Sequence, residues 1–234
     1  MPELAAGSVD LIAADLPYGV TACAWDSVIP FAPLWEQFKR IIKPNGAIVL
    51  TSAQPFTSVL TMSNIKNWRC EWVWHKTLAG GFLNANRHPL RLHENVQVFC
   101  YGKVNYNPQM TTGKSYSALR KSLGLQVCQS QNVKSIPTVN KGDRYPVSVQ
   151  VFSNDTGLHP TQKPVALIEY LIRTYSNPGD LVLDNCMGSG TAAIACIRSG
   201  RRFIGIEKND VYFAAAQQRI RDTHRNLFFQ EATV

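Results

Sequence analysis

The sequence predicts an α/β fold on a mostly parallel sheet, and three observations predict it. Short apolar runs, too brief for typical helices, alternate with stretches whose apolar residues recur every three or four positions. Two of those runs close on an acid, Asp15 and Asp184. Glycine and proline clusters punctuate the alternation.

The elements follow in order. Val9-Asp10-Leu11-Ile12-Ala13-Ala14 reads as a buried strand. Phe31, Leu34, Trp35, Phe38, Ile41 and Ile42 mark one face of a helix, closed by Pro44-Asn45-Gly46. Ala47–Leu50 is strand-like, a weaker helical stretch surrounds Val59 and Leu60, and Glu71–Trp74 and Val96–Phe99 read as two further strands. The Trp72/Trp74 pair is expected to pack within the sheet. Beyond an insertion, Val165, Ile168, Leu171, Ile172 and Tyr175 mark a helix that stops at Asn177-Pro178-Gly179. Leu181–Asp184 is a strand, Gly188-Ser189-Gly190 a turn, and Thr191 opens a small-residue helix that runs to Gly200. Phe203–Glu207 is the next strand, and a last helix runs from Val211 to about Asp222. Three stretches follow: 1–102, an insertion at 103–157, and 158–234.

Composition narrows the function classes. Charged residues make up 17% of the 234, too few for a disordered polyelectrolyte. No run of eighteen apolar residues exists to span a membrane, and Met1-Pro2-Glu3-Leu4 does not open a secretory signal. Six cysteines form no C-x-x-C pair and no zinc-like spacing, so buried reduced thiols in a cytoplasmic protein are expected, with no metal. The net charge of +8 favours a polyanionic partner. More than half of it lies in 103–157, a Gln/Asn/Ser/Thr/Gly-rich stretch with seven basic and two acidic residues, which predicts a nucleic-acid-contacting lobe. Arg87 and Arg91, flanked by His88 and His93, form a second segment suited to DNA phosphates.

Residues 181–207 carry the chemistry of an adenosine-binding crevice. Gly188 and Gly190 let backbone approach a ligand, and Glu207 at the tip of the next strand can accept hydrogen bonds from both ribose hydroxyls. Ala193 in the third glycine position leaves a dinucleotide open on spacing alone, while the location near the C-terminus counts against it. Asp15-Leu16-Pro17-Tyr18 follows the first strand and suits a planar base with an exocyclic amine. Asp15 and the Leu16 carbonyl accept its two N–H bonds, Pro17 sets the turn, and Tyr18 offers a stacking face. Trp25 and Asp26 read as a core tryptophan and a helix-flanking acid.

Asp-Leu-Pro-Tyr-Gly at 15–19, His-Pro-Thr-Gln-Lys-Pro at 159–164 and Leu-Val-Leu-Asp-Asn-Cys-Met-Gly-Ser-Gly-Thr at 181–191 closely resemble the S-adenosylmethionine-dependent amino-group DNA methyltransferases. The motif order resembles their permuted β group, common in phage and prophage members and in restriction-modification systems. The resemblance covers nearly the whole chain. It implies a class I, Rossmann-like methyltransferase fold with helices on both faces of the sheet, S-adenosylmethionine as cofactor, double-stranded DNA as partner, and room for a homodimer. By that likeness 1–102 is the catalytic half, 103–157 the target-recognition region and 158–234 the cofactor half. Asp15, Leu16, Pro17 and Tyr18 would hold the target base. Asp184, Gly188, Ser189, Gly190, Thr191 and Glu207 would line the cofactor pocket, with Thr161 and Lys163 near the cofactor's methionine end. Leu16 stands where the family usually has Pro, which a backbone-carbonyl contact tolerates, and Asn185-Cys186 replaces Pro-Phe. Relatives also carry a strand upstream of 9–14, so either the start of this sequence is internal or the sheet edge is open and needs covering. Asp in the first motif position suits N6 of adenine. N4 of cytosine, another methyl acceptor such as RNA or a protein amide, and a DNA-binding relative without activity are the alternatives.

Overall fold

The structure, a computed structural model, describes residues 1–21, 23, 26–120, 136–154 and 162–231. They fall into two compact units, one of 1–107 with 148–234 and one of 108–147.

The larger unit is built on a seven-stranded sheet. Its strands are β1 (Val9–Ala14), β2 (Ile42–Ser52), β3 (Trp68–Gly80), β4 (Arg91–Phe99), β9 (Val149–Phe152), β10 (Leu181–Asp184) and β11 (Arg202–Gly205), in the spatial order β11-β10-β1-β2-β4-β3-β9. Parallel pairing joins β10 to β11, β1 to β10, β1 to β2 and β3 to β9, whereas β4 runs antiparallel to both β2 and β3. Among the described residues β11 pairs on one side only, with β10.

Both faces of this sheet are covered, which is why Leu11–Ala14 of β1 reads as a continuous apolar run rather than an alternating one. Leu11 and Ala13 pack toward α3 (Val165–Tyr175) and α4 (Thr191–Ser199). Ile12 and Ala14 pack on the opposite side toward α1 (Phe31–Ile41) and α2 (Phe56–Ser63). The spacing of α1 explains its burial, since Leu34, Trp35, Phe38 and Ile41 share one stripe and all are buried. Truncating a fully buried ring such as Phe38 costs about 3–5 kcal/mol. Trp72 and Trp74 are both buried on the α3 face, and the Trp72 indole donates to the Tyr175 hydroxyl at 2.7 Å, joining β3 to α3. The last helix, α5 (Asp210–Glu231), packs along α4 and extends well past Asp222.

The expected helix stop at Pro44-Asn45-Gly46 is corrected. Helix α1 ends at Ile41 and β2 begins at once, with these residues inside the strand. Val9 pairs with Ile42 but Leu11 with Ala47, so the segment bulges out between two ladder contacts. Gly46 permits it, since a Cβ there would lie 2.7 Å from the Asp10 carbonyl oxygen.

The smaller unit holds two antiparallel pairs, β5 (Thr111–Thr112) with β8 (Asp143–Arg144) and β6 (Tyr116–Arg120) with β7 (Ile136–Asn140). Arg144 lies over the Tyr116 ring at 5.0 Å and donates to Asn140 Oδ1 and the Lys114 carbonyl. No helix among the described residues is long and apolar enough to cross a membrane.

Candidate functional site

Strands β1 and β10 lie side by side and parallel, with Leu11 opposite Val182 and Ile12 opposite Leu183. Their carboxyl ends therefore open on one edge of the sheet, where open α/β sheets bind ligands. A cleft of about 740 Å³ lies there, lined by 13–18 from the first motif and by 184–189 and 206–208 from the glycine turn and the acid beyond it.

At one end stands Asp15, its side chain 32% exposed. The Tyr18 hydroxyl donates to Oδ1 at 2.6 Å, the Thr51 hydroxyl donates to the same oxygen, and Lys163 Nζ donates to Oδ2 at 2.8 Å. Lys163 is buried and lies also 3.3 Å from Glu94 Oε2, while Lys76 is paired with Glu94 Oε1. An alternating chain of charge, Lys76–Glu94–Lys163–Asp15, thus crosses the floor of the cleft. Burial alone would lower the Lys163 pKa, but Asp15, Tyr18 and Glu94 outweigh it and raise it well above the ordinary value. Burial, reinforced by the Asp15 carboxylate, pushes the Tyr18 phenol well up, so it stays a donor at neutral pH. The Tyr18 ring stacks on Phe56 with centroids 5.1 Å apart, and Lys163 Nζ lies 5.3 Å from its centroid. Leu16 is buried against the α1/α2 core and Pro17 is half-buried at the cleft wall.

Asp26 has a different place from the one expected. It flanks no helix, since α1 starts at Phe31. Its carboxylate accepts the backbone N–H groups of Gly19, Val20 and Thr21 at 2.8, 2.9 and 2.7 Å, organising the loop after the first motif. Burial works to raise its pKa, but the Thr21 hydroxyl and the three N–H donors overcome that and hold it below the usual range. Trp25 lies outside the described residues.

At the other end, Asp184 is buried and accepts the Cys186 N–H at 3.0 Å. Burial pushes its carboxyl up to about 7; the Cys186 N–H opposes this, while the carboxylates of Asp15 and Glu207 add to it. Glu207 lies two residues past β11 instead of ending it, and accepts the N–H of Gly188 at 2.9 Å and of Asn209 at 2.8 Å. Gly188 and Gly190 both hold positive φ, 50° and 82°, and a Cβ on Gly190 would press to 3.0 Å on Ala216 of α5. The Ser189 hydroxyl donates to Gln162 Oε1 at 3.1 Å and accepts from Arg219 at 2.9 Å. Thr191 is buried at the first turn of α4 and lines the cleft. Asn185 and Cys186 also line it, and burial raises the Cys186 thiol far above its ordinary value, so it is no nucleophile.

Asp15, Leu16, Pro17, Tyr18, Lys163, Asp184, Gly188, Ser189, Thr191 and Glu207 all line this one cleft. Gly190 shapes the turn from behind, Lys163 sits at the Asp15 end, and Thr161 lies outside the described residues. Sequence reasoning missed Thr51, Phe56, Lys76, Glu94 and the loop-holding role of Asp26. The available signal for Thr51 is a hydroxyl ending the apolar run of β2, directly beyond the Leu50 that pairs with Ala14. Glu94 gives no local signal, because β4 is antiparallel and its beginning, not its end, meets this edge, and Lys76 on β3 is marked only by its pairing with Glu94 across the two strands.

The sequence matches the N6/N4 DNA methylase family over residues 9–218. It is 29% identical over 238 residues to the DNA adenine methyltransferase YhdJ of Escherichia coli, covering 94% of this chain and 79% of YhdJ. It is 28% identical over 249 residues to the type II methyltransferase M.HpaI of Haemophilus parainfluenzae, covering 97% of this chain and 73% of M.HpaI. The crystal structure of the M1.HpyAVI–SAM complex superposes with a TM-score of 0.61 at 26% identity, over 93% of this chain and 90% of that one. The cytosine-N4-specific PvuII DNA methyltransferase shares the fold, with a TM-score of 0.62 at 16% identity over 96% of this chain and 87% of its own. A cleft joining a carboxylate turn to a glycine turn across adjacent parallel strands, and a family match along almost the whole chain, lead to one assignment: the chain belongs to the N6/N4 DNA methylase family.

Proposed function

We propose that the chain methylates the exocyclic N6 amine of adenine in double-stranded DNA, using S-adenosylmethionine. The observation that carries this reading is the meeting of Asp15 and the 184–189 turn in one cleft at the ends of neighbouring strands. Asp rather than Ser in the first motif position supports adenine, as does likeness to a named adenine methyltransferase.

The residues present fit the cofactor. Asn185 Oδ1 is buried at the cleft wall without a hydrogen-bond partner, an acceptor suited to a ligand donor. Asp184 and Glu207 give the turn a negative field suited to a cationic sulfonium. No atom lies within 4 Å of where a Gly188 side chain would begin. Asp184, Gly188, Ser189 and Glu207 would hold the cofactor, with Glu207 toward the ribose. Bound S-adenosylmethionine supplies an electrophilic methyl group on sulfur.

The protein's own work is on the amine, whose lone pair is delocalised into the base. Asp15 accepts one N–H and the Leu16 carbonyl the other, drawing the nitrogen toward a tetrahedral arrangement and freeing its lone pair. That interaction strengthens as positive charge develops, so it favours the transition state. Lys163, Thr51 and Tyr18 fix the carboxylate in position. The target base must leave the duplex to reach this depth, and the basic 108–147 unit supplies phosphate contacts.

The test is transfer of radiolabelled methyl to unmethylated DNA followed by nucleoside analysis. Label in N6-methyladenine is expected. Label in N4-methylcytosine overturns the choice of base, and tight DNA binding without transfer overturns the activity.

A further inference from the structure

Strands β3 and β4 are joined by a loop whose apolar residues face water. Phe82 is 80% exposed and Leu83 97% exposed, two adjacent large apolar side chains on one turn. The loop is nonetheless a formed turn: Asn84 N–H donates to the Gly81 carbonyl at 3.0 Å, Ala85 N–H to Phe82 at 3.1 Å, and Arg87 N–H to Asn84 at 2.9 Å. Two apolar side chains are thus presented on an ordered tip.

Sheet topology says what they are presented to. Strand β3 is antiparallel to β4, and β4 to β2, so β3 runs in the direction of β1 and its carboxyl end opens on the edge that carries Asp15. Lys76 and Arg91, at the two feet of the loop, line the same cleft as Asp15. From residue 75 to residue 93 there are three histidines, one lysine, two arginines and no acid. An apolar tip on cationic legs, beside a cleft that must receive an extruded base, is complementary to a duplex: phosphate outside, stacked bases within.

Resting on the reading of the cleft as a DNA methylation site, we infer that Phe82 and Leu83 form a wedge. They enter the base stack beside the target and hold open the step from which the base leaves, while Arg87 and Arg91 contact phosphates. Unstacking costs a few kcal/mol, and insertion of apolar surface offsets it.

The experiment begins by sequencing unmethylated plasmid DNA after treatment with the protein and S-adenosylmethionine, which locates the modified base. Duplex oligonucleotides carrying that site are made with the target paired normally or set opposite an abasic position, where leaving the stack is easier. The double variant Phe82→Ala/Leu83→Ala is expected to melt and to bind S-adenosylmethionine as the wild type does. Its kcat/KM on the paired duplex should fall about 10- to 100-fold, while on the abasic duplex it should stay within about twofold of wild type. An unchanged rate on the paired duplex overturns the wedge, and so does equal slowing on both duplexes, which marks an ordinary docking contact. Wild-type protein that methylates no DNA overturns the functional reading itself, and the wedge falls with it.

Discussion

Lys163 Nζ donates to Asp15 Oδ2 at 2.8 Å across 148 residues of chain. It binds the loop before α3 to the end of β1 and is the link between Asp15 and Glu94. Lys163→Met strands Glu94 Oε2, which has no hydrogen bond of its own, and should cost about 1–3 kcal/mol, less than a fully buried pair because Asp15 is partly exposed. Because the folded pKa of Lys163 lies above its ordinary 10.5, the pair is complete below that value and is lost only as pH rises through the higher one. Thermal melts of wild type and variant should therefore differ by a constant amount from about pH 6 to pH 9.

Asp15→Ala should lower methyl transfer by about 10³-fold or more while leaving cofactor binding within a few-fold. Lys163 retains Glu94 at 3.3 Å, so the fold survives the change. Calorimetric titration with S-adenosylmethionine alongside labelled transfer separates the two effects, and retained turnover would remove Asp15 from its role.

Asp184 introduces a pH dependence near neutrality. Its folded pKa of about 7 lies above the ordinary 3.8, so the folded state holds a proton that the unfolded chain releases. Stability of the free protein should fall as pH rises from about 4 to 7, by at most about 1.4 kcal/mol per pH unit, and level off above. Asp184→Asn should flatten that slope. A cationic ligand prefers the ionised carboxyl, so S-adenosylmethionine should bind more tightly at pH 8 than at pH 6 and release a proton in between. Titration in buffers of different ionisation enthalpy reads that proton directly.

Asp26→Ala leaves three N–H groups at 19–21 without their acceptor. A loss of about 1–3 kcal/mol is expected, together with at least a tenfold fall in kcat, because the loop adjoins Tyr18. The lowered pKa of Asp26 makes its contribution present above 3.8 and lost as pH falls through the lower folded value. Melts of variant and wild type should converge only in strong acid. Asp26→Asn, which keeps one acceptor, should recover part of both losses.

The affinity for duplex DNA should fall steeply with salt, with log Kd rising by about 0.9 per phosphate contacted for each unit of log salt. Lys114→Ala and Lys141→Ala, both in the 108–147 unit, should each reduce that slope by about one. Fluorescence anisotropy between 50 and 300 mM salt measures it, and a salt-independent affinity would remove this unit from the DNA interface.

Much of the fold was legible because burial on both faces writes itself into local sequence. Val9–Ala14 is apolar but for Asp10, Leu181–Asp184 but for its closing acid, and α1 and α3 repeat their apolar residues at helical spacing. The misreading at Pro44-Asn45-Gly46 has a physical source: the residues that stop a helix also permit a bulge, and only the Val9–Ile42 and Leu11–Ala47 register separates the two. The far half of α5 carries little apolar periodicity, so its extension to Glu231 left a weak trace.

The chain by itself determined the alternation of strand and helix, the acid at the end of each of two apolar runs, the paired glycines with their distant glutamate, and a basic excess concentrated in one stretch. Each is a property of neighbours along the backbone. Only the tertiary structure decided that Lys76, Glu94 and Lys163 join Asp15 in one chain of charge, that Asp26 serves a loop, and that Phe82 and Leu83 stand exposed on the turn between β3 and β4. Those meetings depend on strand order and direction. A salt bridge spanning 148 residues is set by which strands lie side by side, and a single lysine carries no local record of that.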